Sequence, residues 1–415
     1  MLAPTLPTPP DDAAPSGIAR REVKIWKMLS VAALVVLSLA SVSYVRALMA
    51  PGYATWNDKT SSWIRDHGGT PALNLYENWR YASPPPDTQP DLTRHDSARA
   101  QSGGSVTSIG TLPVLPAVAG APAPTWIPGR AGADGVPLVY TSVFQPDPAH
   151  RSAVAGVAIV SGSGTIAHLV EGKSQPLIDS NAAAAIPSAQ IPNLVAAFNS
   201  GWKMKDVAGG YFSNGTALHG LQNGQASAVI DDAGHLRVID WTSGAAVNPH
   251  IVAVRQNLAL IVDRGAVADG LHSNGDSRWG SAKNQLQYTE RSALGTTAGG
   301  DLVYVAASKV DLPTLAQALL DAGAVTGMEL DIHGGLTEFN SWAVDHAGTL
   351  TPTAVLPSVQ HKPDRYLAPD QRDFFYLTLA SQTPNQRWAS ANASANASAT
   401  IQADAQTVSI TSRVR

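Results

Sequence analysis

The 415-residue chain contains no cysteine, which excludes disulfides, thiolate metal sites and a thiol nucleophile. Charge is also scarce, at 14% of residues with a formal net charge of -4. A chain so poor in basic residues lacks the cationic face that releases counterions from phosphates, so no nucleic-acid partner is expected. The sequence has neither a G-x-S-x-G element nor an H-E-x-x-H motif, which leaves esterase, peptidase and zincin chemistry without their usual signatures.

What is present begins with a long apolar run. Residues 28–45, MLSVAALVVLSLASVSYV, carry no charge, and 28–49 is long enough to span a bilayer core of about 30 Å. Arg20, Arg21, Lys24 and Lys27 precede it and Arg46 alone follows closely. The positive-inside bias then places residues 1–27 in the cytoplasm as a Pro/Ala-rich tail, with the bulk of the chain outside. A signal peptide cleaved after Ala40 is the competing reading. Residues 50–82 hold two short helical patterns separated by Gly68–Gly69. Their tryptophans are expected to rest on lipid headgroups or to pack on the domain. Residues 83–125 are rich in Pro, Gly and Ser and read as a linker holding the following domain off the membrane. The domain is expected over 126–385, and 386–415 reads as a low-complexity tail. Asn214, Asn392 and Asn396 stand in N-x-S/T patterns that carry no weight alone.

Within the domain, residues 137–144, 152–161, 236–241, 258–265 and 301–308 have the composition of strands. Residues 189–202 place Ile191, Leu194, Ala197 and Phe198 on one helical face and predict a short amphipathic helix. Asp311 predicts a cap for a helix with Pro313 in its first turn, leucines at 312, 315, 319 and 320, and Gly323 just past its end. A strand over 325–332 completes a β–α–β unit. The fold class expected is α+β, a mixed β-sheet core with packed helices behind one transmembrane helix.

That last strand ends in MELDIHGG, where Glu329, Asp331 and His333 occupy alternate positions. On a regular strand they share one face while Met328, Leu330 and Ile332 enter the core. Such a row at the end of an apolar strand either serves a ligand or caps a turn. A divalent cation is an open alternative, with Asp263, Glu329, Asp331 and His333 as oxygen and imidazole donors. The NGDS of 274–277 reads as a turn. Trp279 and Lys283 mark a rim suited to stacking on a sugar, and Glu338 and Asn340 are expected to be solvated.

Three stretches, VAGGYFSNG (207–215), ERSALGTTAGGDLVYVAAS (290–308) and LPTLAQALLDAGAVTGMELDIHGG (312–335), together resemble the phosphodiester glycosidase family, closest to its actinobacterial membrane-anchored branch. Gly209, Gly210, Tyr211 and Phe212 match the family's NGGFF element, with Ala208 at the Asn position. Arg291, Ala293 and Gly295 match its RTAIG element. Asp331, Gly334 and Gly335 fit its LDGGGS loop, with Ile332 and His333 intervening. The resemblance implies a hydrolase that cleaves sugar-phosphate diesters of envelope glycans or glycolipids on the glycosidic side. In that setting Asp331 is the candidate carboxylate at the anomeric carbon and Arg291 the fork on phosphate oxygens. Glu329 is either a second catalytic carboxylate or a buried partner for Arg291, and His333 an acid–base candidate. The glycine turns at 209–210 and 334–335 bring backbone N–H groups to an anion. The partners implied are the membrane and a phosphorylated carbohydrate or glycolipid. The alternative is a glycan-binding or scaffolding protein of envelope assembly that kept this fold without turnover.

Overall fold

The computed structural model describes residues 17–50, 52, 55–90, 112–177, 180–242, 247–273, 275, 277–280, 285–345, 348–356 and 362–380. The proposed C-terminal tail and residues 1–16, 91–111 and Lys283 lie outside them. Helix α1 (Gly17–Met49) contains one stretch, Trp26–Met49, long and apolar enough to cross a membrane. Two short helices follow, α2 (Trp56–Asp66) and α3 (Thr70–Arg80). Thr55 and Asp58 form a reciprocal capping box that starts α2.

The strands then run β1 (Ile127–Pro128), β2 (Val139–Phe144), β3 (Val154–Val160), β4 (Thr165–Val170), β5 (Leu194–Asn199), β6 (Tyr211–Ser213), β7 (Thr216–His219), β8 (Gln225–Asp231) and β9 (Leu236–Trp241). They continue with β10 (Ile251–Gln256), β11 (Leu260–Asp263), β12 (Ala266–Val267), β13 (Thr289–Thr297) and β14 (Leu302–Val310), then helix α4 (Leu312–Asp321). The last four are β15 (Ala324–Ile332), β16 (Phe339–Val344), β17 (Leu350–Ala354) and β18 (Phe374–Leu379).

These strands make an eight-stranded sheet in the order β1-β2-β3-β14-β13-β15-β11-β12 and two five-stranded sheets, β7-β6-β10-β8-β9 and β17-β16-β5-β18-β4. Strands β14 and β15 both pair antiparallel with β13, so they run parallel to each other with β13 between them. The β–α–β unit expected over 301–333 is therefore a split one. Asp311 caps α4 by accepting from Thr314 N at 2.9 Å, and Gly323 takes φ +93° just past the helix end.

The large sheet is buried on both faces. On β3, Ala158 and Val160 enter a core shared with the two smaller sheets, where Phe198, Phe375, Ile230 and Ala253 also lie. Ala155, Val157 and Ile159 point the other way, into a second core under α4 with Leu315 and Leu319. Two buried faces remove the polar half of the usual alternation, so these strands read as continuous apolar runs.

The same physics overturns the helix expected over 189–202. Residues Ser188–Asn193 form a 3-10 turn and Leu194–Asn199 is β5, with every residue buried between β16 and β18. Its spacing of apolar residues fits a helix only because a strand buried on both sides is apolar on both faces, here from Leu194 through Phe198. Pro192 and the two flanking strands settle the competition. Trp279 is also corrected. It is 1% exposed, donates Nε1–H to Leu260 O at 3.0 Å and packs in the core under α4, so it offers no face to a sugar. Glu338 and Asn340 are buried rather than solvated.

The segment expected as a linker is tied down at both ends. Arg151 pairs with Asp87, Leu115 is buried in the second core and Trp126 Nε1–H donates to Pro113 O at 2.9 Å. The α2–α3 hairpin ahead of it packs on the domain. Asp66 pairs with Lys203 and Lys205, Gln287 donates to Asn78 Oδ1 at 2.8 Å, and Tyr81 stacks on His333 with centroids 5.6 Å apart. Gly335 takes φ +79°, and a Cβ there would stand 2.7 Å from Asp58 Oδ2, so the glycine lets α2 close onto the loop after β15.

Candidate active site

Three strand ends and one loop converge beside the hairpin. Asp331 comes from the end of β15, Arg255 from β10, Arg372 and Asp373 from the approach to β18, and Trp202 and Lys203 from the loop after β5. A cavity of about 470 Å³ lies here, lined on the domain side by Trp202, Lys203, Asp331, His333 and Arg372, among others. Residues of α2 and α3, including Arg65 and Tyr76, form its opposite wall.

The row expected from MELDIHGG is split by a register shift. Ala293 pairs with Glu329 but Arg291 pairs with Ile332, so β15 carries one extra residue against β13. Such a bulge breaks the period of two and re-aims one side chain. Glu329 stays in the sheet, fully buried, and accepts from Arg291 Nη1 at 2.6 Å. Arg291 is 1% exposed and gives its other donors to Val310 O and Gln287 O. Of the two readings of Glu329, the structure displays the buried pair with Arg291.

Asp331 instead points at the cavity. Its Oδ2 accepts from Arg372 Nη2 at 2.6 Å, its Oδ1 from Ile332 N at 3.0 Å, and its backbone N–H donates to Ser200 O at 3.1 Å. Arg372 also reaches Gly201 O at 2.8 Å. Behind them Arg255 Nε donates to Asp373 Oδ2 at 2.8 Å, both side chains buried. Asn257 holds the loop in place, donating to Glu329 O at 2.8 Å and accepting from Trp202 N at 3.1 Å. Burial pushes the Asp331 carboxyl up to about 6, opposed by Arg372 and reinforced by the charge on Asp373.

This shift fixes a sign for stability. A carboxyl that binds its proton more tightly in the folded than in the unfolded chain loses stabilisation as pH rises. The window runs from the ordinary aspartate value of 3.8 to about 6. The stability of Asp331→Asn relative to the native chain is therefore expected to improve by on the order of 2 kcal/mol between pH 4 and 6.5. Urea unfolding at a series of pH values measures it, and a pH-independent difference would refute the assignment.

His333 leaves the strand altogether, with φ +74°. Its Nδ1 lies 3.0 Å from Thr289 Oγ1, and burial together with Arg291 and Arg65 pulls its pKa down to about 3. It is neutral at physiological pH and lines the cavity edge as a packing and hydrogen-bonding group. The loop after it is anchored from below, where Arg365 binds Asp370, Glu338 Oε2 at 3.0 Å and Gly335 O at 2.7 Å.

The glycine turns make close approaches within the protein. Gly210 N–H donates to Gln256 Oε1 at 2.8 Å, and a Cβ on Gly210 would stand 2.5 Å from Gly220 O. Tyr211 pairs with Arg255 across β6 and β10 and is fully buried; burial and Asp373 raise its hydroxyl. Gly334 and Gly335 sit in the loop under α2. Several buried polar atoms of this region, Tyr211 OH, Asp373 Oδ1, Ser200 Oγ, Trp202 Nε1 and Arg372 Nε, have no hydrogen-bond partner among the described residues. Among the described residues no group of three or more His, Asp or Glu is arranged to hold a metal ion. Asp263 pairs with Arg264, Glu329 with Arg291 and Asp331 with Arg372.

Sequence reasoning passed over Arg255, Arg372, Asp373, Trp202 and Lys203. The signal was available for three of them: a charged residue at the end of an apolar strand, in IVAVRQN and RDFFYLTL, is the same pattern that singled out Asp331.

Fold and site together define a mostly β domain, behind an apolar helix, with an Arg-gripped carboxylate at the base of a polar cavity. Residues 192–336 match the family model described as phosphodiester glycosidase. That segment carries Tyr211, Arg255, Arg291, Glu329 and Asp331, while Arg372 and Asp373 lie beyond it. Among solved structures, the chain is similar to the catalytic domain of zebrafish N-acetylglucosamine-1-phosphodiester alpha-N-acetylglucosaminidase auto-inhibited by its pro-peptide. Identity there is 15%, with 62% of this chain and 88% of that one covered, at a TM-score of 0.40. A hypothetical protein from Synechocystis is 12% identical over 63% of this chain and 64% of its own, at a TM-score of 0.36. A putative exported protein from Burkholderia pseudomallei is 12% identical over 55% of this chain and 74% of its own, at 0.33. No curated protein matches the sequence.

Proposed function

We propose that the chain is a membrane-anchored, extracytoplasmic member of the phosphodiester glycosidase family that hydrolyses sugar 1-phosphodiesters on the glycosidic side. The observation that carries this reading is Asp331. It is a carboxyl raised to about 6, set in a cavity wall and held by one arginine. The match of residues 192–336 to the family model supports it independently.

In the reaction the bond from the anomeric carbon to the phosphate oxygen breaks, the phosphate monoester leaves with the electron pair, and water supplies the new hydroxyl and a proton. A phosphate ester is already a good leaving group, so strong acid assistance is dispensable. What the site must supply is a carboxylate beside the developing positive charge and cations for the phosphate. Asp331 is the first. Arg372 and Lys203, both lining the cavity, are the second, in place of Arg291, which binds Glu329. Arg255 binds Asp373, the residue after Arg372, and Trp202 O, so it ties the approach to β18 to the loop after β5.

The extracytoplasmic placement rests on the cluster of basic residues ahead of the apolar helix. The experiment is release of reducing sugar from a panel of sugar 1-phosphodiesters, comparing the native chain with Asp331→Asn. Release that depends on Asp331 supports hydrolysis. Saturable binding without release in either protein would replace this reading by a non-catalytic glycan-binding one.

A further inference from the structure

Helix α3 is built inside out. Leu73 and Glu77 are buried, Glu77 against Arg65 of α2, whereas Ala72, Leu75, Tyr76 and Trp79, at i, i+3, i+4 and i+7, form an exposed apolar stripe. Leu75 is 71% and Trp79 75% exposed. A helix on the surface of a water-soluble domain carries the opposite pattern, and an outward apolar stripe with aromatics is the mark of a helix lying in a membrane interface. Trp56, at the start of α2, is 68% exposed as well.

The position of this stripe is fixed by α1. Helix α2 runs back along the last turns of the apolar helix. Lys59 Nζ donates to Leu48 O at 3.0 Å and Ala50 O at 2.7 Å, Tyr44 OH lies 2.9 Å from Thr60 Oγ1, and Trp63 Nε1–H donates to Ser43 Oγ at 3.0 Å. If about 20 residues from Trp26 cross the hydrocarbon, residues 46–50 lie in the outer headgroup layer beside Lys59, and Thr60 and Trp63 reach Tyr44 and Ser43 at the edge of the hydrocarbon. The cavity is lined by a different face of α2, through Asn57, Asp58, Ser61 and Arg65, from the face whose Lys59, Thr60 and Trp63 bind the apolar helix. Its walls include Tyr76 of the exposed stripe.

We infer that the substrate of this site is a sugar phosphodiester carried on a membrane lipid, presented to Asp331 from the headgroup layer on which α3 rests. The inference rests on the hydrolase reading above and adds the identity of the aglycone. A soluble diester would need no such placement. A lipid-borne one has its phosphate and sugar at the depth where the hairpin holds the cavity, and Arg65 and Arg80 line the same wall.

The absence of cysteine allows a clean test on the full chain in phosphatidylcholine vesicles. A single Trp79→Cys carries a nitrobenzoxadiazole label. An Ala298→Cys control sits in the turn just past the far end of β13, whose span from Thr289 to Thr297 is about 26 Å at 3.3 Å per residue. Spin-labelled lipid headgroups are expected to quench the first label and not the second. Matched sugar 1-phosphodiesters are then compared with a hexadecyl and with a methyl aglycone. The hexadecyl diester in the vesicle is expected to turn over at least about tenfold faster, because enzyme and substrate share one surface. Leu75→Ser/Trp79→Ser, at two positions that do not themselves line the cavity, is expected to reduce that advantage and leave methyl turnover unchanged. Equal turnover of both diesters, or no quenching at 79, overturns the lipid inference and leaves hydrolysis standing. No turnover of either diester overturns both.

Discussion

Asp331→Asn is expected to lower kcat/KM for a cleaved sugar 1-phosphodiester by about 10²–10⁴-fold, the range for loss of one positioned carboxylate. The replacement keeps the shape and the hydrogen bond to Ile332 N but removes the charge that the proposed reaction sets beside the anomeric carbon. The pH profile carries a second, independent signature. The native carboxyl titrates at about 6, so kcat/KM should climb as pH rises through 6 and level off above it. His333, pulled down to about 3, is neutral across this range and contributes no second limb. Arg372→Gln is expected to raise KM, since it removes the cation proposed to meet the phosphate, while also freeing Asp331 from its partner. Activity that survives in Asp331→Asn, with a profile flat between pH 5 and 7, would remove Asp331 from the chemistry.

Arg291→Met is expected to act on the fold instead. Arg291 and Glu329 are 1% and 0% exposed, and breaking one partner of a buried pair typically costs about 3–5 kcal/mol because the other charge is left uncompensated. The methionine also abandons Val310 O and Gln287 O, which fix the end of β14 and the approach to β13. Urea unfolding reads the loss as a lower midpoint. The double variant Arg291→Met/Glu329→Gln is expected to recover part of it, since no charge is then buried alone. Arg372→Gln, whose guanidinium faces the cavity, should lose far less. A stable Arg291→Met chain with abolished substrate affinity would return Arg291 to the role of phosphate ligand that the family resemblance assigns it.

The two arginines illustrate what could be read in advance. Arg291 stood out because it belongs to a recognisable stretch, and Arg372 did not, although both end or precede apolar strands. Nothing in the sequence distinguishes an arginine that neutralises a buried glutamate from one that borders a cavity. The distinction depends on which strand lies beside it and on a one-residue bulge in β15 that turns Asp331 away from Glu329. The strand β5 gives a parallel case, since its apolar spacing fits two periodicities and only its neighbours β16 and β18 select one.

By itself the sequence determined the elements whose signals are local: the apolar helix, the α2 and α3 helices, the capped α4, and most strands of the large sheet. Each follows from hydrophobic periodicity, a cap or a glycine, which act within a few residues. It also determined that charge gathers at MELDIHGG, because an apolar strand cannot carry three ionisable groups without partners. Only the tertiary structure decided which partners those are, that the site draws on residues 255 and 372–373 far along the chain, and that α2 and α3 close the cavity from the side of the apolar helix. Those outcomes rest on long-range strand pairing and on desolvation, and both depend on neighbours that are distant in the chain.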